Sequence, residues 1–230
     1  MRQHADATLG WRAFKGGVFF LVALAVLVLV PAWSLTYGPG WAVLAHFAFW
    51  MAALTVYFVN YDPQLVERRL HAGPGAEREP EQKRIQLAAS LAICALFAVP
   101  ALDHHFGWSP VPPGLEVLGH AMIAGGFIAM FFVFRENSFA SSIVEVDDGQ
   151  KVIATGPYSQ VRHPMYTAAL VLFAGVPLAL GSWWGLILVV PLVAALVLRL
   201  QAEEQLLVRE LAGYADYTRR VRFRLVPGVW

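Results

Sequence analysis

Charge is scarce in this chain: Asp, Glu, Lys and Arg make up only 14% of its 230 residues, against about 25% in soluble domains. The hydrophobic share is 58% and gathers in long runs, which excludes an ordinary soluble globule and points to an integral membrane protein. An excess of either sign is also missing. A net charge of +1, with no basic stripe interleaved with aromatics, argues against a nucleic-acid partner. The single cysteine, Cys94, cannot form an intrachain disulfide and reads as a small core residue. Gly73-Pro74-Gly75 lacks the Gly-Lys-Ser/Thr of a phosphate loop, so it reads as a turn. A signal peptide would have a shorter apolar core and a small-residue cleavage site. Here polar Met1–Lys15 runs straight into a longer apolar segment, the expected first span.

About 20 apolar residues cross a bilayer as a helix. Six runs approach that length: Gly16–Leu35, Trp41–Asn60, Ile85–Leu102, Leu115–Phe134, Thr167–Leu180 and Trp183–Leu200. The fifth is short, and the Gly181-Ser182 turn after it predicts a helical hairpin. Leu206, Leu207 and Leu211 continue the helical period beyond the sixth span. The expected fold is therefore an all-α polytopic membrane bundle of about six transmembrane helices. Residues 1–134 form four N-terminal spans, and 135–230 a core with the hairpin and a polar tail, in one integrated domain. All 17 Lys and Arg residues fall in the segments 1–15, 61–84, 135–166 and 199–230. Positive charge marks the cytoplasmic side, so both termini are expected there. The same count puts Arg162-His163-Pro164-Met165-Tyr166 and Arg199-Leu200-Gln201-Ala202-Glu203-Glu204 on one face, at the two ends of the hairpin. Polar clusters beside spans mark function more often than chance.

Several residues have plain readings. His46 and His120 lie within spans and are expected to pack or bond between helices. Asp103, His104 and His105 could approach a metal ion, but no fourth ligand is evident and no metal is assigned. Trp41, Trp108, Trp183 and Trp184 suit an interfacial belt. Gly125-Gly126 suits close helix packing. Arg68 and Arg69 read as topology determinants more than lipid contacts.

Gly156-Pro157-Tyr158, Arg162-His163-Pro164-Met165-Tyr166, Glu203-Glu204, Tyr214-Ala215-Asp216-Tyr217 and Leu225-Val226-Pro227 together resemble the isoprenylcysteine carboxyl methyltransferase family. Its members are integral membrane enzymes that use S-adenosylmethionine and release S-adenosylhomocysteine. The resemblance covers about Gln150 to Trp230. Phospholipid N-methyltransferases share much of the pattern, and membrane sterol reductases that use NADPH carry a similar Arg-His-Pro-x-Tyr. The resemblance implies cofactor contacts at Gln150, Lys151, Val152, Ile153, Tyr158, His163, Pro164, Met165, Tyr166 and Glu203, and acceptor positioning by Arg199. Glu145-Val146-Asp147 is acidic where many relatives carry Arg and Gln. The implied acceptor is lipophilic, a small molecule or a prenylated chain, with membrane lipids as surroundings.

The residue chemistry is compatible with that reading. Arg162 and His163 could meet the cofactor's carboxylate, Glu203 or Glu204 its ammonium or ribose hydroxyls, and the tyrosines, Pro164 and Met165 could form an apolar slot. Pro164 suits a helix start. Arg199 and Glu203 share a helix face, either as a mutual ion pair or as parts of the site with His163. A carboxylate acceptor needs orientation without a general base, which suits Arg199. An ammonium acceptor would ask His163 or Glu203 to take a proton.

Overall fold

The computed structural model describes residues 2–77, 79–146 and 149–230, with side chains from residue 8 onward. The chain forms α1 (Arg2–Ala32), α2 (Gly38–Tyr61), α3 (Pro63–Leu70), α4 (Pro80–Phe106), α5 (Pro113–Glu136), α6 (Pro164–Ala179), α7 (Trp183–Ile187), α8 (Val189–Glu210) and α9 (Tyr214–Arg220). Pro39, Pro63, Pro80, Pro113 and Pro164 each stand in the first helical positions of α2 to α6. There a missing N–H costs nothing and the fixed φ favours the helix.

Among the described residues, five helices are long and apolar enough to cross a membrane, and α6 is a shorter apolar helix. The first helix begins well before Gly16, through a polar segment tied to α3 by Arg12 and Glu67 at 2.8 Å. The last span is two pieces. Pro191 offers no N–H to the Ile187 carbonyl, so the chain tightens at Leu188 between α7 and α8. Beyond that point α8 runs on to Glu210, as its leucine period predicts. The hairpin is also present, turning at Gly181, whose φ of 74° suits glycine.

A core of Val28, Val43, Leu96, Ile123, Val176, Leu192 and Leu200 joins α1, α2, α4, α5, α6 and α8. The tightest seam is between α5 and α6. A Cβ on Gly119 would lie 2.3 Å from the Ala179 nitrogen, and one on Gly126 would lie 2.6 Å from the Leu172 Cβ. A Cβ on Gly175 would come within 2.6 Å of the Gly119 oxygen. Only glycine permits that approach. Of the Gly125-Gly126 pair, Gly126 alone serves it, because Gly125 faces outward with nothing near.

At the far end of the hairpin, buried Asp103 collects the Ser109 N–H at 2.7 Å, the Ser182 hydroxyl at 2.5 Å and the Ser109 hydroxyl. Tyr37 donates to the Leu180 carbonyl at 2.5 Å, and His104 stacks on Tyr37. Those partners use the Asp103–His105 group as a clamp on the α6–α7 turn. His46 and His120 stack with centroids 5.0 Å apart, the interhelical packing expected. Cys94 departs from expectation: it is exposed, not in the core. The α4 span is apolar on all sides, so its pattern does not distinguish lipid-facing from buried positions.

The seam gives a discriminating pair of substitutions. Gly126→Val should lower stability by about 1–3 kcal/mol or prevent folding, while Gly125→Val should stay within about 0.5 kcal/mol. Thermal unfolding of both variants in detergent checks this.

Candidate functional site

The two polar clusters flanking the hairpin meet in one cleft, walled by segments 137–145 and 150–153, the start of α6, the end of α8 and α9. Its empty space is about 780 Å³, counting the part open to solvent. Gln150, Lys151, Val152, Ile153, Tyr158, Arg162, His163, Pro164, Met165, Tyr166, Arg199 and Glu203 all line it. Glu204 does not.

The positions follow from the local chain. A 3-10 turn, Gly156–Ser159, presents Tyr158. His163 stands at the N-cap of α6, and Pro164 opens the helix. Glu203 and Glu204 are adjacent on α8, so their side chains diverge by about 100° around the axis. The Tyr166 hydroxyl donates to Glu203 at 2.6 Å, on the cleft side. Glu204 faces the opposite way and is buried. It accepts from Arg162 Nε at 2.5 Å and Arg224 Nε at 2.7 Å, and lies 3.3 Å from His163 Nε2.

The tail is strapped across the same motif. The Arg162 and His163 N–H groups each donate to a tail carbonyl, Phe223 and Arg224, at 2.9 Å. Arg162 Nη1 donates to the Val221 and Arg222 carbonyls at 3.0 and 3.1 Å. The Thr167 hydroxyl reaches the Leu225 carbonyl at 2.8 Å. Arg162 and Glu204 are therefore directed into this joint, and the backbone N–H groups of Arg162 and His163 are already used there. Tail residues Phe223 to Leu225 clasp the segment 162–167 from behind.

Arg199 does not pair with Glu203. Its Nη1 lies 2.7 Å from Oε1 of Glu77, in an ion pair both of whose side chains are buried. The contact is off the hydrogen-bonding direction, since neither atom counts as bonded by angle. Nη2 of Arg199 donates to the Ser142 carbonyl at 2.8 Å, and the Val144 N–H donates to Glu77 Oε2 at 3.2 Å. Glu77 arrives from the loop between α3 and α4, folded back by the turn at Gly73, whose φ is 96°. Sequence reading missed Glu77; the Gly73-Pro74-Gly75 turn was the available signal.

Aromatic hydroxyls complete the walls. Asn137 donates to the Tyr158 hydroxyl at 2.9 Å, and burial raises the Tyr158 pKa above the ordinary phenol range. Burial pushes Tyr217 up to about 12, and its hydroxyl donates to the Tyr158 carbonyl at 2.7 Å. Burial also raises Tyr214. These phenols stay neutral at physiological pH. Tyr214 lines the cleft, and its buried hydroxyl has no hydrogen-bond partner among the described residues. An orphan hydroxyl near a carboxylate suits a ligand with both donors and acceptors. Asn137, Tyr214 and Tyr217 had no assigned role in the sequence reading, although the two tyrosines stood in the resemblance. Glu145 lines the cleft wall, while Asp147 lies outside the described residues.

Residues 115–213, from α5 to the loop before α9, match the phospholipid methyltransferase family. No curated protein matches the chain. The family match, together with the apolar helices, indicates methyl transfer at a membrane on a lipid-related substrate.

Glu203 and Glu204 should separate cleanly by experiment. Glu204→Gln leaves Arg162 and Arg224 without their carboxylate and should cost on the order of 3 kcal/mol of stability. Glu203→Gln should change stability by less than about 1 kcal/mol. Chemical unfolding in micelles compares them.

Proposed function

We propose that the chain is an S-adenosylmethionine-dependent methyltransferase acting on a lipophilic acceptor, with the cleft on the cytoplasmic side. The observation that carries the reading is the cleft itself. The residues implied for cofactor contact converge on it from four separate parts of the chain, around an unpartnered Tyr214 hydroxyl and the Glu203 carboxylate. When bound, the cofactor supplies an electrophilic methyl on a sulfonium. Glu203 and Tyr214 would hold its ammonium or ribose hydroxyls. Met165, Pro164, Tyr158 and the 150–153 strip would line an apolar slot for the adenosine, and His163 would border its carboxylate end.

Such a displacement at carbon depends mainly on holding the reactants in line. The residues here suit that: they are fixed by buried hydrogen bonds. Glu203 Oε2 already accepts from Tyr166, and His163 Nε2 lies against Glu204, so one proton-accepting atom of each is occupied by the protein itself. That favours a carboxylate acceptor, which reacts without losing a proton. The family match supports a second reading, methylation of a phospholipid amine. An NADPH-dependent reduction has no such match behind it.

S-adenosylhomocysteine should raise the melting midpoint of the purified protein, NADPH should not, and His163→Ala or Glu203→Ala should remove the shift. A midpoint raised by NADPH alone would reverse the assignment. Membranes incubated with methyl-labelled S-adenosylmethionine should yield base-labile label in lipid if the acceptor is a carboxylate; base-stable label would establish the amine reading.

A further inference from the structure

Two arginines approach the membrane end of the cleft, and only one is matched. Arg199 has Glu77. Arg69, at the end of α3, has no carboxylate within ion-pairing distance among the described residues. Its Nη1 reaches the Ser141 carbonyl and the Met165 sulfur, each at 3.4 Å, and its guanidinium lies 4.7 Å over the Phe134 ring. None of these neutralises it. Burial lowers its pKa to about 10, with Arg199 near enough to add repulsion, so it remains a cation at neutral pH. A half-buried charge with no counterion among the described residues is unfavourable and is relieved by an anion.

Arg69 also stands where two spaces adjoin. Ser141 and Met165, which it touches, line the cleft. On its other side an apolar groove, with about 1230 Å³ of empty space counting the part open to solvent, runs between α1, α2 and α5, past Gly17, Phe20, Met51, Phe58 and Met130. Gly17 leaves that groove open, with nothing within 4 Å of where its Cβ would be. An apolar groove ending at an unmatched guanidinium has the shape and charge of an amphiphile with an anionic head.

We propose that Arg69, rather than Arg199, receives the head group of the methyl acceptor, and that this acceptor is a single-chain lipid carboxylate whose chain lies in the α1–α2–α5 groove. The proposal rests on the methyl-transfer reading. A planar carboxylate matches the guanidinium fork, and one groove accommodates one chain. Glu77 leaves Arg199 the task of holding segment 141–144 in place.

Equilibrium binding of radiolabelled oleate and oleyl alcohol to the purified full chain tests it. Arg69→Gln should weaken oleate about tenfold or more and leave oleyl alcohol and S-adenosylhomocysteine unchanged. Arg69→Lys should retain most oleate affinity. The double variant Glu77→Gln, Arg199→Gln removes that pair together; the loosened 141–144 segment should affect oleate and oleyl alcohol alike and leave the ratio of their affinities unchanged. Losing an unmatched charge, Arg69→Gln should not lower the melting midpoint, which separates lost recognition from lost folding. Oleate affinity that survives Arg69→Gln, or an oleate-to-oleyl-alcohol ratio that falls in the double variant instead, overturns the proposal. Displacement of oleate by phosphatidate as readily as by palmitate overturns its single-chain part. If oleate depends on Arg69 while the wild-type protein binds no S-adenosylhomocysteine, the methyl-transfer reading fails and the lipid-anion site stands.

Discussion

The carboxylate of Glu204 is the constraint on which the site depends. It gathers Arg162 and His163 from the start of α6, Arg224 from the tail, and its own helix α8. Those elements are far apart in the chain, and the apolar core they share through Tyr166, Leu200 and Leu225 holds them without direction. A buried carboxylate with several charge-assisted partners does so with direction as well as strength. Once Arg162 and the two backbone N–H groups are committed to the joint, His163, Met165 and Tyr166 must face the cleft. The cleft-facing geometry is thus a by-product of an electrostatic lock on the far side of the same residues.

The site separates scaffold charges from chemical charges by small steps along a helix. Glu203 and Glu204 are neighbours, yet one meets Tyr166 in the cleft and the other is sealed behind it. Arg199, one turn earlier, is matched from a distant loop by Glu77. Buried acid and base are balanced almost everywhere in this region, which is what a low-dielectric setting requires. Imbalance at Arg69 and at the Tyr214 hydroxyl is therefore informative, because it falls on the two sides of the cleft where ligands are expected.

Much of this was legible in the chain. Apolar runs gave the long helices, the Gly181-Ser182 turn gave the hairpin, and the polar motif with Arg199 and Glu203 named the cleft's centre. What stayed hidden depended on contacts between distant segments. Glu77 sits in a polar loop and looks like any solvated acid until the fold buries it against Arg199. Arg69 carries the same sequence signal as Arg68, and only packing against Phe134 and Met165 distinguishes it. Glu203 and Glu204 cannot be told apart without knowing the phase of α8. Cys94 and Gly125 illustrate a limit specific to membranes: where lipid is as apolar as the core, hydrophobicity no longer says which side faces inward.

The glycine seam between α5 and α6 has a mechanical consequence. Two backbones in direct contact leave no side chains to repack, so α6 can neither slide nor roll against α5 without a clash. The His163–Tyr166 wall is then a fixed jaw. The opposite wall, residues 141–146 and 149–153, is irregular chain fastened by side-chain contacts from Arg69, Glu77 and Arg199. Any widening that admits a cofactor must be taken up on that side, where a few polar fastenings can be released and remade while the helices stay still.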